Sequence, residues 1–150
     1  MSGFSIELVT HEWDRFADVL DLSYAILYRP WGVPLQGDWY HPANGSEFAV
    51  ALDAEGRLLG TARLLPAPGD LSRQVRQVAV DPIARRRGVG CALMGAVERV
   101  AAEEGADELW LHARENAFSF YRRLGYLPEG DVFVSELTGI PHRMMRRPLE

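Results

Sequence analysis

Three consecutive arginines, Arg85-Arg86-Arg87, run directly into Gly88-Val89-Gly90, and this is the stretch whose residue types are best suited to chemistry. The apolar run Val78-Ala79-Val80 precedes it and stops at Asp81-Pro82; an apolar stripe with helical spacing follows it. The first turn of a helix leaves backbone N–H groups without intrahelical partners, and the aligned peptide dipoles make that end positive. Guanidinium groups beside it add donors that stay charged at any working pH. Such a place suits an anion, and the missing side chains at Gly88 and Gly90 let a phosphate approach the backbone. A pyrophosphate is the natural occupant; the plain alternative is an exposed basic turn that only solvates the surface. The spacing is not that of a dinucleotide fingerprint, whose third glycine would fall where Leu93 stands. It is not a Walker loop either, because that loop needs lysine and all 16 basic residues here are arginine. The same absence excludes a lysine nucleophile or Schiff base.

Other reactive side chains are more dispersed. His11, His41, His112 and His142 lie far apart in the chain, and no H-E-x-x-H or paired-cysteine spacing exists, so no metal site is expected. Cys91 follows Gly90 on the first turn of the helix, where a thiolate would be favoured. A small residue beside a close-packed helix start is the simpler reading. His112 alternates away from Leu111 and Ala113, so it either faces a site or is a hydrogen-bonded core histidine. Tyr121 lies beside the stripe of Phe120 and Leu124, where its hydroxyl can enter a cleft or its ring can merely pack.

The elements that must position these groups follow from periodicity. Residues 4–9 alternate as a strand, Thr10 reads as a helix cap, and residues 13–28 carry an amphipathic stripe. Residues 30–46, rich in Pro, Gly and Trp, read as a long loop with room for one short helix. Strands over 47–52 and 57–65 flank the turn Asp53-Ala54-Glu55-Gly56. A break at Pro66–Asp70 precedes a strand over 73–80, a helix over 88–104 closed by Gly105, and a short strand over 109–113. A helix over 115–124 and strands over 131–137 and 143–149 complete the order. This is a mixed α/β (α+β) pattern with a mostly antiparallel sheet, in one domain spanning residues 1–150.

Composition bounds the partners. With 16 arginines against 21 acidic residues the net charge is -5, which argues against a broad nucleic-acid or anionic-membrane face. No apolar run reaches membrane-spanning length, and the first residues lack a secretory pattern. A single cysteine excludes a disulfide framework. A cytoplasmic protein is expected.

Arg85-x-x-Gly88-x-Gly90 after Val78-Ala79-Val80 resembles the acyl-CoA pyrophosphate loop of the GCN5-related N-acetyltransferase (GNAT) superfamily. The segment Leu111 to Tyr126, with Ala117, Phe120-Tyr121 and Leu124-Gly125-Tyr126, is similar to that superfamily's next motif, and the element order over residues 4–149 matches. Gly130-Asp131-x-Phe133 and Gly139-Ile140-Pro141-His142-x-x-Met145 resemble its ElaA-like branch. The resemblance implies helices on both faces of the sheet and a parallel pair, 74–80 and 108–113, that splays to admit acetyl-CoA. It further implies that backbone groups of Val78 and Val80 pair with the pantetheine arm. Arg85, Arg86, Arg87, Gly88, Val89, Gly90 and Cys91 would hold the pyrophosphate, with Ser119, Arg122 and Arg123 near the cofactor's distal end.

By the same resemblance Tyr121 serves the departing thiol, and the N–H of Ala79 or Val80 polarises the thioester carbonyl. The base is left among His112, Glu136 and His142, or a water relay. One departure is Arg114, which stands where many relatives carry asparagine; Asn116 is nearby but out of register. Pro30-Trp31-Gly32 and Trp39-Tyr40-His41 are expected to shape the acceptor pocket, and Asp38 and Glu47 to favour a cationic amine. The expected activity is direct acetyl transfer to a small amine or an exposed amino group, with a homodimer compatible with the superfamily. The alternatives are a non-catalytic acyl-CoA-binding module and an interaction protein whose arginines only solvate a turn.

Overall fold

Apolar residues on both pleats of one strand make the middle of this molecule. In the computed structural model, which describes residues 3–35, 45–66 and 71–149, strand β2 (Glu47–Asp53) sends Phe48, Val50 and Leu52 to one face and Ala49 and Ala51 to the other. Neither face can be left in water, so each is covered by a helix. Helix α1 (Phe16–Leu27) packs Val19 against Phe48, Val50 and Leu52. Helix α2 (Val89–Glu103) packs Val89, Leu93, Met94, Ala96, Val97 and Ala101 against the opposite face. Smaller residues on the α2 side of β2 let that helix approach closely. On the neighbouring strand Gly60 leaves the same face bare: a Cβ there would stand 3.0 Å from both Ala79 O and Leu93 Cδ1.

The remaining strands are β1 (Phe4–Val9), β3 (Leu58–Leu64), β4 (Ser72–Val80), β5 (Glu108–Arg114), β6 (Leu127–Val134) and β7 (Pro141–Pro148), with helix α3 (Phe118–Arg123) between β5 and β6. They form one seven-stranded sheet in the order β1-β2-β3-β4-β5-β7-β6. Every neighbouring pair is antiparallel except β4 and β5. This is the mixed, mostly antiparallel sheet with flanking helices expected from the element order. Among the described residues no helix is long and apolar enough to cross a membrane.

Several boundaries differ from the sequence expectation, each for a local reason. The first helix begins at Phe16, not at residue 13, and its cap position is Arg15 with no side-chain cap. Thr10 Oγ1 instead accepts a hydrogen bond from Glu12 N–H at 3.2 Å, a turn of its own that delays the helix. The expected helix over 115–124 opens as a 3-10 turn, Glu115–Ala117, before α3. The strand expected over 131–137 runs from Leu127 to Val134. Pro128 and Gly130 look like strand breakers, but β6 is the edge strand and accommodates them with an irregular register between Glu129 and Phe133. It stops at Val134 because Ser135 Oγ accepts from Leu137 N–H (3.2 Å) and Thr138 N–H (3.4 Å), closing a turn. Within the loop over 30–46, Arg29–Trp31 is a 3-10 turn, while Asp38 and Trp39-Tyr40-His41 lie outside the described residues.

Candidate functional site

The parallel pair opens almost as soon as it forms. β4 and β5 are in register only at Ser72↔Glu108, Arg73↔Leu109 and Gln74↔Trp110. Beyond that point β4 carries a bulge against β3, with Arg63 opposite Arg76 and Thr61 opposite Ala79. Gln77 sits in the bulge at φ 53°, a left-handed conformation that costs a non-glycine residue roughly 1 kcal/mol or more. Its side chain is held at both ends: Arg63 Nη1 donates to Gln77 Oε1 at 3.0 Å, and Gln77 Nε2 donates to the Tyr28 hydroxyl at 3.3 Å. Arg63, itself buried, is anchored by Ser46 Oγ at 2.9 Å. The bulge turns β4 away from β5 and the α1 face fixes it there.

The opening is a cleft of about 590 Å³ that passes through the sheet. Tyr28, Trp31, Arg76, His112 and Arg114 line its α1 side, Val80, Arg85, Ala117 and Tyr121 its α2 side, and the β6–β7 turn its rim. Asp81 N–H donates to Leu59 O at 2.8 Å, so strand alternation turns the Ala79 N–H toward β3 as well. The backbone groups of Val78 and Val80 face the open side.

The basic loop lies at the end of this strand edge. Pro82–Ala84 forms a 3-10 turn whose first residue follows Asp81, and Asp81 Oδ1 accepts from Ile83 N–H at 3.0 Å. Arg86 (φ 65°) and Gly88 (φ 80°) then reverse the chain into α2. The first i to i−4 bond of α2 is Ala92 N–H to Gly88 O at 3.0 Å, so the amides of Val89, Gly90 and Cys91 precede the helical ladder. Among the described residues, no hydrogen bond or ion pair engages the guanidinium groups of Arg85, Arg86 and Arg87. The two glycines turn out to differ in purpose. Gly88 supplies the left-handed cap with open space around it, whereas a Cβ on Gly90 would stand 3.2 Å from Phe120 Cζ. Gly90 is therefore a close-packing position against Phe120 of α3. Cys91 is exposed, and Ser119, Arg122 and Arg123 lie on the exposed face of α3.

Tyr121 is 7% exposed and reaches the cleft from α3, with its ring edge-on to Phe120 (5.0 Å) and Tyr126 (5.8 Å). Burial pushes its phenol well above the usual range, so it remains protonated at neutral pH. Arg114 stands near enough to act on it electrostatically. The Arg114 Nη2 donates to Leu27 O at 2.5 Å, at the end of α1, and the guanidinium lies 4.9 Å from the Trp31 ring centroid. Arg114 is thus a half-buried cation tying β5 to α1.

His112 and His142, thirty positions apart in sequence, meet across Phe133. The Phe133 ring centroid lies 5.0 Å from His112 and 5.6 Å from His142, stacked on the latter. His142 Nδ1 is 2.8 Å from Ile140 O, so that nitrogen carries the proton when the ring is neutral and Nε2 is left as acceptor. Burial holds both rings below the ordinary histidine range; the charges of His142 and Arg76 add to this at His112, and that of Arg114 at His142. Both are thus neutral at pH 7 and able to accept a proton. Glu136 is exposed on the β6–β7 turn at the cleft rim, on the turn where the sequence suggested a strand. If either histidine is the base, the expected outcome is a kcat/KM flat near neutral pH that falls below pH ~6.5. The His112→Gln and His142→Gln variants, followed across pH, identify which ring sets that limb.

Glu47 does not belong to the cleft. Its carboxyl contacts Glu104 beside Arg73, and burial followed by Glu104 raises its pKa. Arg73 is itself ion-paired with Glu104. The residues that sequence reasoning passed over are Gln77, Arg63, Tyr28 and Arg76. Arg63 carried a usable signal, being a charged side chain in the otherwise uncharged and largely apolar strand β3, whereas Gln77 sits among Arg73, Gln74 and Arg76 and does not stand out.

A sheet split at its one parallel pair, with a basic helix-start turn at the end of the free strand edge, defines a mixed α/β domain built around a through-sheet wedge. The chain belongs to the acetyltransferase (GNAT) family, whose model matches residues 12–126. It is 29% identical over 137 residues to the uncharacterized N-acetyltransferase YjcF of Bacillus subtilis (strain 168), a match covering 89% of this chain and 93% of that protein. Escherichia coli ElaA shares the fold with a TM-score of 0.82 at 21% identity, covering 97% of this chain and 99% of that one. An aminoglycoside 6'-N-acetyltransferase complexed with coenzyme A gives a TM-score of 0.77 at 16% identity, with 96% of each chain covered.

Proposed function

We propose that this protein transfers an acetyl group from acetyl-CoA directly to an amine. The observation that carries the reading is the free edge of β4 at Val78–Val80, which leads from the Tyr121 side of the cleft to the Arg85–Gly88 turn, whose guanidinium groups have no partner among the described residues. Family membership over residues 12–126 supports it, as does the shared fold of an acetyltransferase complexed with coenzyme A. The likeness of the stretch from Gly130 to Met145 to ElaA-like segments, and the fold shared with ElaA, support reading the chain as a member of that branch.

Acetyl-CoA is the acyl donor, a substrate and not a resident group, and the residues present suit it. Arg85, Arg86, Arg87 and the amides at Val89 to Cys91 receive the pyrophosphate. The open backbone of Val78 and Val80 pairs with the amide-bearing arm as an added strand would. The Val80 N–H, rather than that of Ala79, faces the thioester oxygen and stabilises its developing charge. The amine's lone pair attacks the carbonyl carbon; the C–N bond forms, the C–S bond breaks, and the sulfur leaves with the bonding pair. Tyr121 gives its proton to that sulfur, and the proton lost by the amine goes to His112, His142, Glu136 or water.

The test is thiol release from acetyl-CoA on addition of amines, alongside heat stabilisation by CoA. Stabilisation without thiol release from any amine would leave only a binding module; no stabilisation would remove the acyl-CoA reading altogether. Replacing Arg85 and Arg86 together with alanine is expected to raise the KM for acetyl-CoA by about 10-fold or more, the scale of losing charge-assisted hydrogen bonds. An unchanged KM would take those side chains out of the pyrophosphate site.

A further inference from the structure

The described residues of the cleft leave its α1 side with positive charge and almost no negative charge. Arg76 and Arg114 supply that charge beside the neutral rings of His112 and His142, against one carboxylate, Glu136, on the exposed rim. These groups form one cluster: His112 feels both Arg76 and His142, and His142 feels Arg114. Arg85 lies on the other side, at the pyrophosphate turn. Of the two acidic residues expected to favour a cationic amine, Glu47 is turned away toward Glu104 and Arg73, and Asp38 lies outside the described residues.

Arg114 is the most informative member. It is half-buried, yet its contacts are a backbone carbonyl and the rings of Trp31 and Tyr28, with no carboxylate among the described residues. A guanidinium carries five N–H donors and cannot shed its charge, so burying it without a counter-ion is costly. Arg76, exposed on β4 and on the same side, likewise has no ion pair among the described residues. An anion brought by a ligand would satisfy both. A cleft of about 590 Å³ has the size of a small-molecule site.

We propose that the acetyl acceptor is a small zwitterion: an amine whose own anionic group is received by Arg76 and Arg114, leaving its amino group toward His112 and the thioester. This rests on the acetyl-transfer reading and deepens it by fixing the acceptor's class. Amino acids, phosphoethanolamine and taurine share the required chemistry and differ in the anion. Polyamines, aminoglycosides and basic peptides carry the wrong charge for this side.

The experiment uses the full chain with acetyl-CoA and matched acceptors, each amino acid against its amide, with phosphoethanolamine, taurine and spermidine as further arms. The expected kcat/KM for the acid exceeds that for its amide by about 10- to 100-fold, the range of a hydrogen bond to a charged group. The amide's amine is less basic and more of it is unprotonated, so that bias runs against the expected result. In Arg76→Gln and Arg114→Gln the preference collapses to within about threefold through the acceptor KM. Retained heat stabilisation by CoA shows that each variant is folded, and should Arg114→Gln not fold, Arg76→Gln alone decides. Equal or faster transfer to the amides or to spermidine overturns the proposal while leaving acetyl transfer intact. So does a rise confined to the acetyl-CoA KM, which would assign both arginines to the donor. Thiol release from none of the amines defeats the transfer reading, and this proposal with it.

Discussion

Tyr121→Phe is expected to lower kcat by roughly 100- to 10,000-fold, the contribution of a positioned general acid, while the KM for acetyl-CoA changes little. The substitution removes one oxygen and keeps the ring, whose edge contacts with Phe120 and Tyr126 hold it in place. Folding should therefore be preserved. The hydroxyl has no hydrogen-bond partner among the described residues, and burial holds it in the protonated form. A group that is protonated, buried and unengaged can donate to a thiolate as it forms, and it cannot serve as the base. Arg114, which acts on the same phenol, opposes part of that burial effect and so keeps the proton transferable. Single-turnover measurement separates the chemical step from product release. A kcat within threefold of the parent would take Tyr121 out of the mechanism and pass the proton to solvent.

The largest expected effect on stability comes from the α2 face of the sheet. Leu93 is fully buried and packs where Gly60 leaves no side chain. Leu93→Ala removes its methyl groups from a place that β3 cannot refill, since that strand is fixed by pairing with both β2 and β4. The cost is about 2–5 kcal/mol, from lost transfer energy and the cavity left behind. For a chain of this length that lowers Tm by roughly 5–15 °C. Gly60→Ala should also destabilise, although adding a methyl group to a strand ordinarily helps. The new Cβ would meet Ala79 O and Leu93 Cδ1, each at 3.0 Å, and the first of these is backbone that cannot rotate away. The displacement would fall on β4 beside Val80, so this variant should lose activity as well as stability. Calorimetric unfolding of the two single variants checks the pair; a Tm for Leu93→Ala within a degree or two of the parent would contradict the packing account.

Much of the fold was legible because its signals are local. The stripe from Val89 to Ala101 marks α2, the alternation in residues 4–9 marks β1, and the element order is enough for the mixed sheet. The run from Val80 to Gly88 marked the strand-to-helix turn, and the structure builds it there. What was hidden depends on meetings between distant segments. The roles of the two glycines could not be separated without Phe120, thirty residues away, whose ring fills the space beside Gly90. Glu47 looked like an acidic pocket residue because nothing in its neighbourhood of sequence announces Glu104. The His112–Phe133–His142 layer exists only because β5 and β6 both flank β7. The bulge at Gln77 was equally silent: a glutamine in a strand pattern gives no notice of a positive φ, which Arg63 and Tyr28 enforce from two other elements. The early start of β6 at Leu127 was hidden for the opposite reason, since Pro128 and Gly130 are strong local signals that an edge strand can absorb.

The central claim is that the wedge between β4 and β5 carries an acetyl group from acetyl-CoA to an amine. Mass spectrometry of the acceptor after incubation with the full chain and acetyl-CoA tests it most directly, with Tyr121→Phe run in parallel. The account predicts a singly acetylated amine formed in step with free CoA thiol, and far less of it with the variant. Thiol release without an acetylated acceptor, or equal product from the variant, would contradict it.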